Sequence, residues 1–233
     1  MRIAIISDIH ANLYALDQVL SDIHKNVVDE IYCLGDIVGY GPFPNECVSL
    51  VRRECSVVIA GNHDYGLIGK TPLSHFTSDG RDALIWTMQQ ISKENLEYLE
   101  RRPLSTVQNN FTLVHASPFD PEHWPRILTM EEAQRAFWAF STRICFIGHT
   151  HIPTIIGEDL TINAFRKDCR FLINVGSVGQ PRDGDPRASY GILETENLSY
   201  ELKRVTYDAD ASAKAIFDAG LPKVLGKRLL LGY

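Results

Sequence analysis

The first third of the chain alternates short apolar runs with amphipathic stretches. The runs RIAII, EIYCLG and SVVIAG are too short for helices and predict three strands. Apolar residues recur at helical spacing along residues 12–25, and a second helix is predicted near residues 44–54. An order of β-α-β-α-β implies parallel strands that are joined by right-handed crossovers.

The middle of the chain is predicted to be largely helical. Residues 74–102 have a helical pattern in which Ser92 is a suitable N-cap and Pro103 marks the end. Residues 130–140 have the pattern of an amphipathic helix. The stretches NFTLVHASP and RICFIGHTH each begin as a strand and continue into a loop.

After about residue 153 the pattern changes to short strands separated by turns. Such strands are predicted in TIIGED, LTINAF, RFLINVG, SYGILET and LSYELKRVTY, and their succession indicates a largely antiparallel sheet. The C-terminal stretch has the pattern of one or two helices, with Gly220 between them. Because no repeat or linker divides the chain, we expect one domain over residues 1–233.

Asp, Asn and His side chains follow five of the predicted strands. In an open α/β sheet, ligands bind beyond the carboxyl ends of the strands, so these segments are expected to converge at one edge. Each motif alone is weak, because Gly, Asn and Asp also favour turns for local backbone reasons. The side chains concerned are those of Asp8, His10, Asp36, Asn62, His63, Asp64, His115, His149 and His151. The remaining histidines, His24, His75 and His123, are expected to be ordinary surface or partly buried groups.

The chemistry of this set predicts a metal centre. With His63 and Asp64 set aside, it offers two carboxylates, one amide oxygen and four imidazoles, and no thiolate. Mixed oxygen and nitrogen ligation suits divalent Mn, Fe, Ni, Co or Zn. Seven groups are too many for one ion, so we expect two divalent transition-metal ions that share a carboxylate. Two such ions can clamp the attacking and leaving oxygens of a displacement at phosphorus.

Composition and charge narrow the choice of partners. The 233 residues are 45% hydrophobic and carry a net charge of −6, so we expect neither a specific nucleic-acid partner nor a membrane partner. The five cysteines are odd in number and form no C-x-x-C pair, which favours buried free thiols in a reducing compartment. The apolar stretch before Asp8 is too short for a signal sequence, and we expect a cytoplasmic protein.

The motifs in this order resemble those of the calcineurin-like metallophosphoesterases. The pattern D-x-H, G-D, G-N-H-D/E, a lone His and G-H-x-H spans residues 8–151, and none of the metal ligands departs from it. The stretch NVGSVGQPRDGDPRASY (174–190) resembles a subgroup of small, stand-alone prokaryotic members. Some proteins of this kind are phosphodiesterases and others hydrolyse dinucleoside polyphosphates. The resemblance implies an α/β fold with four layers, α-β-β-α, in which two mixed β-sheets are flanked by helices.

The resemblance also implies a role for each residue of the motifs. Asp36 would bridge the two metal ions, and a hydroxide bridging them would attack phosphorus in line. His63 would be the general acid to the leaving oxygen or would stabilise charge on the phosphoryl group, while Asp64 would hold the His63 ring. The first ion would be bound by Asp8, His10 and His151, and the second by Asn62, His115 and His149.

A loop rich in Gly and Pro adds two candidate substrate-binding residues, Arg182 and Arg187. An arginine can bind phosphate oxygens bidentately, and an acidic chain needs a local source of positive charge. The alternative is that both are surface arginines paired with Asp183 and Asp185. Four other residues either lie near the site or only shape turns and pack: Tyr40, Phe43, Asn174 and Ser177.

We therefore expect a metal-dependent phosphoesterase that hydrolyses a small phosphorylated substrate, either a phosphodiester or a nucleotide-type phosphoanhydride. A phosphomonoesterase or a protein phosphatase is an alternative within the enzyme class. A non-catalytic, metal-binding interaction scaffold on the same fold is the alternative outside it. The sequence sets neither the native metal nor the oligomeric state.

Overall fold

The computed structural model describes residues 1–166 and 168–233, and its strands form two five-stranded sheets. The strands are β1 (Arg2–Ile6), β2 (Glu30–Cys33), β3 (Val57–Val58), β4 (Ser105–Gln108), β5 (Phe111–Val114), β6 (Ile144–Ile147), β7 (Thr154–Gly157), β8 (Phe171–Asn174), β9 (Ala188–Glu194) and β10 (Ser199–Val205). The α-helices are α1 (Leu13–Lys25), α2 (Pro44–Glu54), α3 (Asn62–Leu67), α4 (Ser78–Gln90), α5 (Lys93–Glu100), α6 (Met130–Trp138), α7 (Ala209–Asp218) and α8 (Lys223–Leu231).

The first sheet joins the beginning of the chain to its later strands. Its order is β10-β9-β1-β2-β3, and β1, β2 and β3 are parallel, as the β-α-β-α-β pattern predicts. On the other side of β1 the pairing is antiparallel, with Ile3 opposite Leu193. β10 continues the sheet as the antiparallel partner of β9.

The strands beyond residue 153 pair mainly in the antiparallel sense that was predicted, but they are divided between two sheets instead of forming one. The second sheet is mixed. Its order is β4-β5-β6-β8-β7, in which β5, β6 and β8 are parallel and β4 and β7 are antiparallel edge strands. The strands beyond residue 153 are thus shared between the two sheets, because β7 and β8 join one and β9 and β10 join the other.

Locally, one predicted strand is wrong, one helical region divides at its predicted N-cap, and one strand was missed. The stretch LTINAF contributes only an isolated bridge between Ile162 and Ile156, because Asn163 turns into the left-handed region (φ 55°) and ends the pairing. Residues 74–102 form two main helices, since α4 ends before Ser92, whose side chain caps α5 as expected. β4 was not predicted, because its residues STVQ form no apolar run.

Side chains alternate between the two faces of each strand, and this alternation creates the four layers. In β1, Ile3 and Ile5 face the second sheet, while Ala4 and Ile6 face the core beneath the helices α1 and α2. Between the sheets the apolar layer includes Tyr32, Leu113, Phe146 and Ile173, and α6 covers the outer face of the second sheet through Ala133 and Phe137. The structure therefore confirms the predicted α-β-β-α arrangement.

Two further observations concern the environment of the protein. All five cysteines are free, and three of them are buried, as the sequence suggests. Within the described ranges, no helix combines the length and the apolar character needed to cross a lipid bilayer. The cytoplasmic location stays a prediction.

Candidate metal centre

The motif residues meet where the parallel strands of both sheets end. Asp8, Asp36 and Asn62 follow β1, β2 and β3 of the first sheet, and His115 and His149 follow β5 and β6 of the second. Their side chains form three overlapping groups in which the donor atoms lie within 4.8 Å of one another. The groups are Asp8 with His10 and His151, His10 with Asp36 and His63, and Asp36 with His115 and His149.

The distances show donor atoms that converge as they do around an ion. Nε2 of His10 and Nε2 of His151 are 3.1 Å apart, and Nε2 of His151 is 3.3 Å from Oδ1 of Asp8. Oδ2 of Asp36 is 3.2 Å from Nε2 of His115 and 3.7 Å from Nε2 of His10. One oxygen of Asp36 thus lies between an imidazole of the first group and an imidazole of the third.

The backbone orients three of these imidazoles through their other ring nitrogen. In a neutral ring, an Nδ1 that donates to a carbonyl leaves Nε2 unprotonated and directed at the centre, which is the usual arrangement of metal-binding histidines. The three contacts join Nδ1 of His10 to Val38 O (3.1 Å), Nδ1 of His115 to Leu34 O (2.9 Å) and Nδ1 of His151 to Gln180 O (2.5 Å).

Five of the motif residues have left-handed backbone conformations, which non-glycine residues rarely adopt. Such strain persists only where the surrounding structure enforces it, and it concentrates at functional sites. The φ angles are 54° at Asp8, 51° at His10, 51° at Asp36, 66° at His149 and 63° at His151.

Two motif glycines are needed because the centre packs directly against them. A Cβ at Gly61 would lie 2.1 Å from Oδ1 of Asp36, and a Cβ at Gly148 would lie 2.0 Å from Oγ of Ser7. Both distances are far below van der Waals contact, so no side chain fits at either position without displacing a neighbour.

Electrostatics favours the ionised carboxylates of Asp8 and Asp36 and the neutral form of several imidazoles. Burial opposes ionisation of Asp8, but the imidazoles of His151 and His115 outweigh it, and the pKa of Asp8 lies below its ordinary range. Burial lowers the pKa of His149 to about 3 and also lowers that of His10. At His115 burial is outweighed by Asp36 and Asp8, which raise its pKa to about 9.

Several buried polar atoms of the cluster lack a hydrogen-bond partner among the described residues. They are Oδ1 of Asp8, Oδ1 of Asn62, Nδ1 of His63 and Nε2 of His115. Leaving a buried polar atom unsatisfied costs stability, and native structures rarely do so without a functional reason. Two carboxylates, an amide oxygen and imidazoles match the donor set of borderline divalent ions, so the residues present fit a metal site.

His63 lies beside the donor cluster and lines the cleft in front of it. Its ring packs between those of Tyr40 and Phe76, with centroid distances of 4.5 Å and 5.0 Å. Burial lowers the pKa of His63 to about 4. Its backbone N–H donates to Oδ1 of Asp36 at 2.7 Å, so its position depends on the shared carboxylate.

Asp64 has a different contact from the one expected. Its Oδ2 accepts from the backbone N–H groups of Asp36 (2.8 Å) and Gly61 (2.9 Å), and its Oδ1 accepts from those of Ile37 (3.0 Å) and Val38 (3.3 Å). Asp64 lies near the start of α3, where a side chain turns back to free amide groups. The prediction that Asp64 holds the His63 ring is therefore wrong, and the carboxylate instead joins two motif loops.

A cleft of about 600 Å³ opens in front of the cluster. The wall nearest the cluster is formed by Asp36, Asn62, His63, His149 and His151. Tyr40 also lines the cleft, which agrees with the interpretation that it lies near the site. Phe43, in contrast, packs against Tyr14 with ring centroids 5.8 Å apart. The cleft also includes residues that sequence reasoning dismissed or missed, namely His75, His123, Thr71, Phe76, Trp124 and Arg126.

The two candidate arginines separate in the structure. Arg182 lines the cleft, where its guanidinium lies 5.7 Å from the centre of the Tyr40 ring. Arg187 is exposed and forms an ion pair with Asp185, whose Oδ2 is 2.6 Å from its Nη2. It is absent from the described lining of the cleft, and this pairing argues against the substrate role expected for Arg187.

The loop between β8 and β9 holds the two motif loops that precede it in the chain. The amide of Asn174 donates to Gly148 O (2.6 Å) and to Oγ1 of Thr150 (2.9 Å). Oγ of Ser177 donates to the carbonyl of Asp8 at 2.8 Å. Both residues therefore lie near the site and support the metal-ligand loops.

Comparison with known proteins agrees with this geometry. Two mixed sheets between helices, with Asp, Asn and His at their strand ends, define a metal-dependent phosphoesterase of the α/β class. The chain belongs to the calcineurin-like phosphoesterase superfamily, whose domain matches residues 1–198.

Three relatives show how far the similarity extends. The crystal structure of a metallophosphoesterase from Sphaerobacter thermophilus superposes with a TM-score of 0.90 at 44% identity, over 100% of this chain and 99% of that one. The protein MJ0912 of Methanocaldococcus jannaschii is 42% identical over 240 residues, which cover 99% of this chain and 98% of that protein. Phosphodiesterase YfcE of Escherichia coli K12 is 26% identical over 209 residues, covering 85% and 90%.

Proposed function

We propose that this protein uses two divalent metal ions to hydrolyse a small phosphodiester or a nucleotide-type phosphoanhydride. The observation that carries the proposal is the overlap of the donor groups, because Asp36 belongs to two of them. One ion would be held by Asp8, His10 and His151, the other by Asn62, His115 and His149, and Asp36 would contact both. The donor set favours Mn, Fe, Ni, Co or Zn. Bound ions of this kind supply positive charge for the phosphoryl oxygens and lower the pKa of a water.

The chain's own residues would bind and orient the substrate. His63 lines the cleft beside Asp36, and its imidazole would donate a hydrogen bond to the phosphoryl or leaving oxygen. Because Asp64 contacts backbone amides instead of the His63 ring, charge stabilisation by His63 is favoured over a carboxylate-supported general acid. Arg182 would bind a phosphoryl oxygen from the wall of the cleft.

The relatives and the size of the cleft support the proposed substrate class. YfcE is named a phosphodiesterase, which supports a phosphodiester substrate for this chain as well. A cleft of about 600 Å³ is in the range of small-molecule sites and suits a molecule of nucleotide size. The aromatic rings of Tyr40, Phe76 and Trp124 on its walls give apolar contact area to such a molecule.

We also propose that the chain forms one domain over residues 1–233. β9 pairs with β1 in the first sheet, so the N-terminal and C-terminal parts share a single layer. Oγ of Ser212 in α7 donates to Oδ1 of Asn12 at 2.9 Å, which joins the last helices to the start of α1.

Turnover of bis-p-nitrophenyl phosphate with added Mn²⁺ or Ni²⁺ tests the function. Asp36→Asn is expected to lose at least about 100-fold in kcat, since loss of an outer partner of a ligand alone costs 10- to 100-fold. His63→Ala is expected to lose about 100-fold in kcat as well. His24→Ala is the matched control, because His24 pairs with Glu54 at 3.2 Å outside the cleft.

Metal analysis of the reconstituted protein tests the number of ions. We expect about two ions per chain in the parent and fewer in Asp36→Asn. Metal-independent turnover, or full activity in both site variants, would contradict the proposal. Turnover of phosphomonoesters alone would favour the alternative that the protein is a phosphomonoesterase. Fewer than about one ion per chain, together with no turnover, would favour the alternative of a non-catalytic interaction scaffold.

A further inference from the structure

Gln180 is a buried amide that connects a candidate metal ligand to the cleft arginine. The residue is 1% exposed, and its backbone carbonyl accepts from Nδ1 of His151 at 2.5 Å. Its side-chain Oε1 accepts from Nη2 of Arg182 at 2.7 Å and from Nε of Arg182 at 3.3 Å. The backbone N–H of Arg182 donates in turn to the carbonyl of His151 at 3.3 Å. These contacts join the three residues in a closed ring.

The position of Gln180 is set from the other side by the loop after β1. Its backbone N–H donates to Oγ of Ser177 at 2.8 Å, and that hydroxyl donates to the carbonyl of Asp8 at 2.8 Å. The amide therefore has a fixed place relative to two of the proposed metal ligands, Asp8 and His151.

A neutral acceptor affects an arginine differently from a carboxylate. A carboxylate orients the guanidinium and also offsets its charge, whereas an amide oxygen orients it and leaves the charge available. Two other arginines nearby have carboxylate partners, since Arg187 pairs with Asp185 and Arg204 pairs with Asp183. Among the residues that the structure describes, Arg182 has no such partner.

Two further observations favour a role of Gln180 in orienting Arg182 over a role in packing. The Arg182 guanidinium lies 5.7 Å from the centre of the Tyr40 ring, which is itself 4.5 Å from the His63 ring, so the cation is fixed on the wall beside His63. Nε2 of Gln180 is buried with no acceptor in the described ranges, an arrangement that lowers stability. Packing alone would favour an apolar side chain at this position.

We propose that Gln180 is a positioning residue that orients the Arg182 guanidinium toward an anionic phosphoryl oxygen in the cleft and keeps its charge uncompensated. Gln180 itself does not touch the substrate. The proposal deepens the proposed function and rests on it for the nature of the anion.

Calorimetric titration of the metal-loaded full chain with orthophosphate tests this role. Gln180→Met removes the acceptor at similar size and is expected to weaken phosphate binding by about 10-fold. Gln180→Glu keeps the acceptor but adds a charge that offsets the guanidinium, and it is expected to weaken binding at least as much. In substrate kinetics both variants are expected to raise KM while kcat stays within about threefold.

A double-mutant cycle separates positioning from a purely structural role. In an Arg182→Met background, Gln180→Met is expected to change phosphate affinity by less than about twofold, and Gln180→Glu is expected to weaken it by less than it does in the parent, through direct repulsion of the anion alone. In an Arg187→Met background the full effect is expected to persist, because Arg187 is paired elsewhere. Equal losses in every background, or a loss of bound metal that accounts for the weaker binding, would overturn the proposal.

Two features of the design keep the result decisive. Gln180→Glu has the same shape as the parent residue, so it carries the test if thermal unfolding shows that Gln180→Met is not folded. Phosphate binding needs no turnover, so it is independent of the hydrolase assay. Coupling between Gln180 and Arg182 without hydrolysis would contradict the proposed function alone, and hydrolysis without coupling would contradict the positioning role alone.

Discussion

The loop between β8 and β9 has two halves that differ in nearly every respect. The inner half, residues 175–182, is buried apart from the partly exposed Arg182 and bonds to the loops that carry the metal-ligand candidates. The outer half, residues 183–187, is largely exposed, and its charged side chains pair with each other or with Arg204 of β10. The two arginines of this loop take their environments from the half in which they lie.

The difference shows how one short segment can serve two purposes. In the inner half, neutral groups such as the amide of Gln180 and the hydroxyl of Ser177 hold backbone and side chains in place without adding charge. In the outer half, carboxylates offset the charge of the arginines. A charge that is to meet a substrate therefore receives a neutral partner, and a charge that only faces water receives an opposite one.

Gly179→Ala is expected to have the largest effect, because a Cβ at this inner position would lie 1.7 Å from the carbonyl oxygen of Ile9. Because the clashing atoms belong to the backbone of Ile9, no side-chain rotation can relieve the clash, and we expect a loss of about 3 kcal/mol in the free energy of unfolding. Gly184→Ala in the outer half meets no atom within 4 Å but has φ 84°, and about 1 kcal/mol is expected there. Urea denaturation measures the free energy of unfolding of both variants. Equal losses would contradict the difference between the inner and outer halves of the loop.

Arg182→Met is expected to lower kcat/KM by up to about 100-fold, since hydrogen bonds to charged groups contribute about 1.5–3 kcal/mol. The same change at Arg187 is expected to alter kcat/KM by less than about twofold, because exposed ion pairs contribute little. Steady-state kinetics on one diester with the same metal compares the two. A loss at Arg187 as large as that at Arg182 would contradict the placement of only one arginine at the cleft.

Asn174→Ala removes the two hydrogen bonds to Gly148 and Thr150 that brace the loop after β6. We expect a loss of about 1.5 kcal/mol in the free energy of unfolding and a decrease of about 10-fold in metal affinity. Thermal unfolding and metal titration with a competing chelator measure the two effects. Unchanged metal affinity would show that this brace does not position His149 and His151.

Asp185→Asn is expected to have the smallest effect, because it breaks an ion pair that lies at the surface. The melting temperature should change by about 1 °C or less, and the small difference should vanish in high salt. Differential scanning calorimetry at two salt concentrations makes the measurement. A clear drop in activity would show that the outer half reaches the substrate.

The gathering of the metal-ligand candidates could be predicted because it depends on strand direction. Parallel strands place their carboxyl ends at one edge, so the order of Asp8, Asp36, Asn62 and His115 along the chain was enough to predict a cluster. The four layers were implied by the family resemblance, and in the structure they rest on residues that alternate between two cores, such as Ile3 and Ala4 in β1.

The remaining features depend on contacts that no local pattern encodes. His75 ends a short 3₁₀ helix and Arg126 lies in a loop distant in sequence, and only the folded arrangement brings both to the cleft. The role of Asp64 was mistaken because neighbours in sequence suggested a contact that the turn at the start of α3 prevents. The left-handed conformations of His149 and His151 also have no signal in residue type, since they are imposed by the packing of the loops.

The contacts of Asp64 also bear on the order in which the centre is assembled. Its carboxylate joins the loops after β2 and β3 through four backbone amides, so the polypeptide by itself specifies the spacing between Asp36 and Asn62. Because the folded chain already sets this spacing, replacement of one divalent ion by another at the proposed site would not require the two loops to separate. The ion bound at the proposed site would then depend on the ions available to the folded protein and not on the ion present when the chain was synthesised.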